Sequence, residues 1–60
     1  MNTYRLLDRD GKVLTETQLD SDREAVKWSA GAVSDMTGTI TLARVYPWGG
    51  CVKLMTYRRS

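Results

Sequence analysis

Seven residues in the last third of the chain, Arg44, Tyr46, Trp48, Lys53, Tyr57, Arg58 and Arg59, are of the types that grip a macromolecular partner. Aromatic and arginine side chains are frequent anchors of protein interfaces. The same types can stack on bases and neutralise phosphates along a nucleic-acid strand. No RNP-type, KH or zinc-finger pattern accompanies them, so a protein partner is the preferred expectation. Trp48 lies between Pro47 and the pair Gly49-Gly50, which puts it at a hairpin tip. There it is either exposed and preset or folded back as a lid on the end of a sheet. The four cations of the group have a plainer use as well, which is to keep an apolar hairpin soluble.

Catalytic chemistry has little to work with. The chain has no histidine, which removes Ser-His, Cys-His and His-metal arrangements. Cys51 is the single cysteine, so no internal disulfide can form. It sits among apolar residues with no base beside it and reads as a small buried or half-buried hydrophobe. Asp8 and Asp10 look like paired carboxylates, yet a turn explains them better, and a calcium loop would need further ligands and a distal Glu. Gly49-Gly50 is followed by no Lys-Ser/Thr and opens no helix, so it is no phosphate loop. A short chain also leaves little room for a pocket of the ~300–1,000 Å3 that small ligands need. The expectation is a non-enzymatic protein that uses no cofactor and no metal.

Sixty residues are expected to form one domain, 1–60. A chain of this length buries only about 60% of its unfolded surface, so its core is small. The net charge is +2 and unevenly placed. Residues 1–36 carry five cations and seven acids (−2), and residues 37–60 carry four cations and no acid (+4). A basic last third can meet nucleic acid or an acidic protein surface. A free cysteine suits a reducing cytoplasm, and no signal-like or membrane-length apolar run is present, so a cytoplasmic protein without a membrane partner is expected.

The elements that must position the seven residues follow from periodicity. Leu19 to Met36 is the one clearly helical stretch. Ser21 and Glu24 form an S-x-x-E capping box, and Asp20, Asp22 and Glu24 suit the positive end of the helix dipole. Ala25, Ser29, Ala32 and Met36 fall on one line, flanked by Val26 and Val33 on one side and Trp28 on the other. Gly38 reads as the stop. Before the helix, Thr3–Leu7 and Lys12–Gln18 read as strands joined by an Asp-Gly turn. Tyr4 and Leu6 are expected to face the helix with Val13 and Leu19, leaving Arg5 and Leu7 outside. After it, Thr39–Tyr46 and Cys51–Tyr57 read as strands, with Arg58 to Ser60 frayed. The order is β-β-α-β-β. The fold class is α+β, a four-stranded, mainly antiparallel sheet with one helix packed on one face.

Simple alternation gives both faces of the last hairpin some apolar side chains. One helix covers one face, so the other would carry Leu7, Leu14 and an apolar set from that hairpin. A patch of that kind marks an interface, with a homodimer or with another partner.

The run Tyr4-Arg-Leu-Leu-Asp-Arg-Asp-Gly-Lys-Val-Leu14, a Thr-rich strand, Ser21-Asp-Arg-Glu-Ala25 and a final hairpin resemble small phage and prophage proteins, among them the compact anti-CRISPR inhibitors. The resemblance lies in length, strand–helix order and style over most of the chain. It implies a phage-encoded inhibitor that binds a bacterial defence complex of CRISPR-Cas type in the host cytoplasm and blocks nucleic-acid binding or nuclease action. Many such inhibitors are acidic mimics of nucleic acid, whereas this chain is +2. The alternative is a small nucleic-acid-binding or regulatory module using the basic C-terminal hairpin.

Overall fold

The computed structural model describes residues 1–59, and the order β-β-α-β-β is present in it. The first strand, β1 (Asn2–Leu7), is followed by Asp8, whose side chain builds the turn. Asp8 Oδ1 accepts from the N–H groups of Asp10 (2.8 Å) and Lys12 (2.9 Å). Gly11 takes φ +86°, a value that L side chains avoid. Asp8 is thus a turn residue with its carboxylate already occupied. The second strand, β2 (Val13–Leu19), then runs back along β1.

Ser21 caps the helix α1 (Asp22–Ala32) as its sequence requires, its Oγ accepting from the Glu24 N–H at 3.3 Å. Glu24 reaches back to the Asp20 N–H at 3.3 Å, one residue before the cap. The helix stops earlier than periodicity suggests. A single 3-10 turn over Val33–Asp35 follows Ala32, and Met36 is already extended. Gly38, at φ +88°, lies beyond that extended segment and opens the next strand; it does not terminate the helix.

The strands β3 (Gly38–Val45) and β4 (Cys51–Arg59) complete one antiparallel sheet in the order β2-β1-β3-β4. Arg58 and Arg59, expected to be frayed, belong to β4 and pair with Thr39 and Gly38; Ser60, in the same expectation, lies outside the described residues.

The helix lies over β1 and β3. Ala25, Ser29 and Val33, four residues apart, are fully buried against Tyr4, Leu6, Ile40 and Leu42. Their small size lets the helix approach closely. Trp28, Ala32, Met36, Leu19, Leu54 and Tyr57 pack around this centre. Val26 is exposed, a correction to its expected place beside the stripe. Ser29 has one proton, which goes to the Val26 carbonyl (2.9 Å), so the Tyr57 O–H at 2.6 Å donates to Ser29. That bond ties β4 to the underside of the helix.

Each edge strand carries one extra residue. Leu6 pairs with Thr15 but Leu7 with Val13, and Leu42 pairs with Met55 but Ala43 with Lys53. Leu14 and Leu54 are the residues left over. These bulges reverse the alternation part-way along each edge strand. Val13 therefore opposes Leu7 on the uncovered face and does not join Leu19. In β4, Val52, Met55 and Tyr57 share the helix side through their partners Arg44, Leu42 and Ile40, while Lys53, Thr56 and Arg58 share the other.

The uncovered face is consequently not the apolar patch that plain alternation implies. Its rows are Gln18, Thr3, Val45 and Cys51; Glu16, Arg5, Ala43 and Lys53; and Val13, Leu7, Thr41 and Thr56, with Thr39 and Arg58 beyond. Threonines and charged side chains dominate it. Thr41 and Ala43 in its centre are buried by their own neighbours.

Candidate binding surface

The turn between β3 and β4 is built by its own residues. The Gly49 N–H donates to the Tyr46 carbonyl (3.0 Å) and the Tyr46 N–H to the Gly50 carbonyl (2.8 Å). Pro47 suits the second position of such a turn, and Gly49 takes φ +98°. The result projects Trp48 from the end of the sheet with 78% of its surface exposed.

Exposed does not mean loose. The Trp48 ring stacks on Tyr46, with centroids 5.6 Å apart and planes 7° from parallel. Its six-membered ring also lies directly over Gly50, where an added Cβ would clash with ring carbons Cη2 and Cζ3. The two placements open to Trp48 from sequence meet here: it leans on the hairpin and still presents one large face outward.

Tyr46 is fixed in turn. The Arg44 guanidinium carbon stands 5.1 Å from the centre of the Tyr46 ring. Arg44 also reaches the helix N-terminus, Nη1 lying 3.4 Å from Asp22 Oδ1 and Nη2 3.1 Å from Asn2 Oδ1. Asp22 accepts from the buried Tyr4 hydroxyl at 2.6 Å, and Tyr4 accepts from Asn2 Nδ2 at 3.2 Å. A continuous set of contacts therefore runs from the start of the helix to the exposed tryptophan. Burial raises the Tyr4 pKa above its ordinary value of 10.0, and the Asp22 hydrogen bond and charge act in the same direction. The Asn2 hydrogen bond and the Arg44 charge oppose them.

The seven residues singled out from sequence divide three ways. Arg44, Tyr46 and Trp48 form the cluster just described. Lys53 and Arg58 lie on the uncovered sheet face. Tyr57 is turned under the helix onto Ser29, and Arg59 sits on the same side with Nη2 3.4 Å from the Ser34 carbonyl. Tyr57 is therefore a packing residue, which its strand parity hid because the bulge at Leu54 lies between it and Lys53. Asn2 and Asp22 were missed. Asp22 read as a dipole partner in the first turn of the helix, and nothing local in the sequence signals that it meets Arg44, 22 residues away.

Among the described residues, no helix is long and apolar enough to cross a membrane. No family model, curated protein or solved structure matches the chain.

Proposed function

We propose that this chain is a non-enzymatic protein-binding module whose principal anchor is Trp48. The observation that supports it is a large, exposed aromatic ring pinned by Tyr46 stacking and by the Gly50 contact. A side chain already ordered in the free protein loses little rotamer freedom on binding. Arg44 behind the stack adds a cation that Asp22 and Asn2 orient. The resemblance of length and element order to phage inhibitors directs the first search for a partner to bacterial defence complexes.

A second reading has its own support. Lys53 and Arg58 share the uncovered face with Thr39, Thr41 and Thr56, and Arg5 lies one strand away. Cations among hydroxyls on an uncovered sheet suit the backbone of a nucleic-acid strand, and Trp48 could stack on a base.

One experiment separates the two. Wild-type and Trp48→Ala proteins are immobilised and exposed to a bacterial lysate depleted of nucleic acid, and titrated separately with single-stranded and duplex DNA. The expected outcome is a protein retained by wild type whose affinity falls ~30-fold or more in Trp48→Ala, as for a buried aromatic anchor. DNA affinity is expected to be negligible at physiological salt. Micromolar or tighter DNA binding that weakens steeply with salt, with no partner protein lost from the variant, selects the second reading.

A further inference from the structure

The sheet order leaves β4 without a neighbour on its outer side. Along the nine residues from Cys51, beside the Trp48 turn, to Arg59, the backbone N–H and C=O groups point alternately to β3 and outward, which leaves a row of outward groups on every second residue. Such a row is a template for one more strand.

Charge selects the strand that fits. β4 carries Lys53, Arg58 and Arg59 and no acid. Pairing with β4 of a second copy would gather these three cations and their three counterparts at one joint, with no carboxylate on either strand. Like charges facing each other across a ladder are destabilising. The other edge of a second copy, β2, offers one acid, Glu16, and Arg5 already holds it at 3.4 Å. The cations that turn away a second copy attract a foreign strand of opposite charge.

We infer that β4 is a docking edge for an extended acidic segment of another protein, which adds to the sheet as a fifth strand. This rests on the reading of the chain as a protein-binding module and names the chemistry of the partner. The stretch past the Leu54 bulge, Met55–Arg59, pairs with β3 in unbroken register, so its outer row is regular. Within it Arg58 opposes Thr39 on the uncovered face and Arg59 opposes Gly38 on the helix side. Opposed residues of an antiparallel pair share a face. Two consecutive acidic residues on the incoming strand therefore meet the two arginines, one on each face of the sheet. Thr56 on one face and Tyr57 on the other flank them and suit β-branched neighbours.

The test uses the 15N-labelled full chain and three probes. The first is a seven-residue peptide of alternating threonine and valine with two adjacent glutamates at its third and fourth positions. The second replaces both glutamates by glutamine, and the third is a short oligothymidylate. The expected result is slowed exchange of the outward-pointing amides within Met55–Arg59 with the glutamate peptide, none along β2, and at least ~10-fold weaker binding of the glutamine peptide, as loss of two charge-assisted contacts implies. Wild-type protein against paired peptides does not depend on a variant folding. Reversal at Arg58→Glu with Arg59→Glu should, in addition, invert the preference toward a lysine peptide. No protection on β4 at millimolar peptide, protection on β2 instead, or equal binding of the glutamine peptide overturns the inference. So does oligothymidylate binding at β4 more tightly than the glutamate peptide. Trp48→Ala run in parallel keeps the two ideas apart. It should retain β4 protection, and loss of partner affinity in that variant tests the hairpin tip alone.

Discussion

Tyr4 shows how much one buried hydroxyl can record about a fold of this size. Its phenol is fully buried and donates to Asp22, and its pKa is raised above 10.0. The folded chain therefore holds the proton more tightly than the unfolded one. Stability from this source is complete below the unfolded pKa and is lost as pH rises from there through the folded value. Urea unfolding of wild type and Tyr4→Phe across the range from neutral to strongly alkaline pH should show wild type ahead at neutral pH, with the gap closing above about pH 10. A gap that is constant with pH would mean that the tyrosine proton is not linked to folding. A second residue-scale outcome concerns the Trp48 perch. Gly50→Ala puts a methyl where the Trp48 ring now lies. The ring must leave, so the ring-current shifts of the Tyr46 protons should collapse while the amide pattern of β1 and β2 stays. Unchanged Tyr46 shifts would show that the stack does not depend on that contact.

At the scale of elements, the capping box and the bulges set where side chains end up. Ser21 Oγ satisfies the Glu24 N–H at the start of the only α-helix among the described residues. Ser21→Ala should cost about 1 kcal/mol, read as a lowered urea midpoint with an unchanged m-value. An unaltered midpoint would mean that the Glu24 bond to Asp20 suffices for the cap. The bulge at Leu54 does a different job. By shifting parity once, it sends Met55 and Tyr57 to the helix side and Thr56 and Arg58 away from it. On the helix side Tyr57, with Leu54 of the bulge, packs against the core, whereas Val52 and Met55 stay exposed at the sheet edge.

For the whole molecule, this redistribution bears on self-association. The uncovered face presents threonines, Arg5, Lys53 and Arg58 where an apolar dimer patch had been expected. That face carries three cations against the single acid Glu16, so two copies brought together there meet with a net excess of positive charge, and β4, which has no acid, repels its own copy. Sedimentation velocity from micromolar to near-millimolar concentration should show a monomer throughout. A concentration-dependent dimer that strengthens with salt would indicate that screened sheet faces do associate. The same charges are then available to a partner of opposite sign.

Much of the architecture was determined by local sequence. The Asp8–Gly11 turn, the Ser21 cap, the Pro47–Gly50 hairpin and the inward pair Tyr4 and Leu6 each follow from residues within a few positions of one another. Steric limits on φ, capping hydrogen bonds and period-two alternation act at that range. Trp48 was legible as a tip residue on the same grounds. Four things were decided only by tertiary structure. The β2-β1-β3-β4 order depends on how the chain crosses behind the sheet. The bulges at Leu14 and Leu54 arise because edge strands must match a register set by their inner neighbours. As a result Tyr57 packs against the core and Arg58 lies on the uncovered face. Last, Asp22 found Arg44 across 22 positions of chain. Helix packing brought them together, and no local spacing in the sequence encodes that meeting.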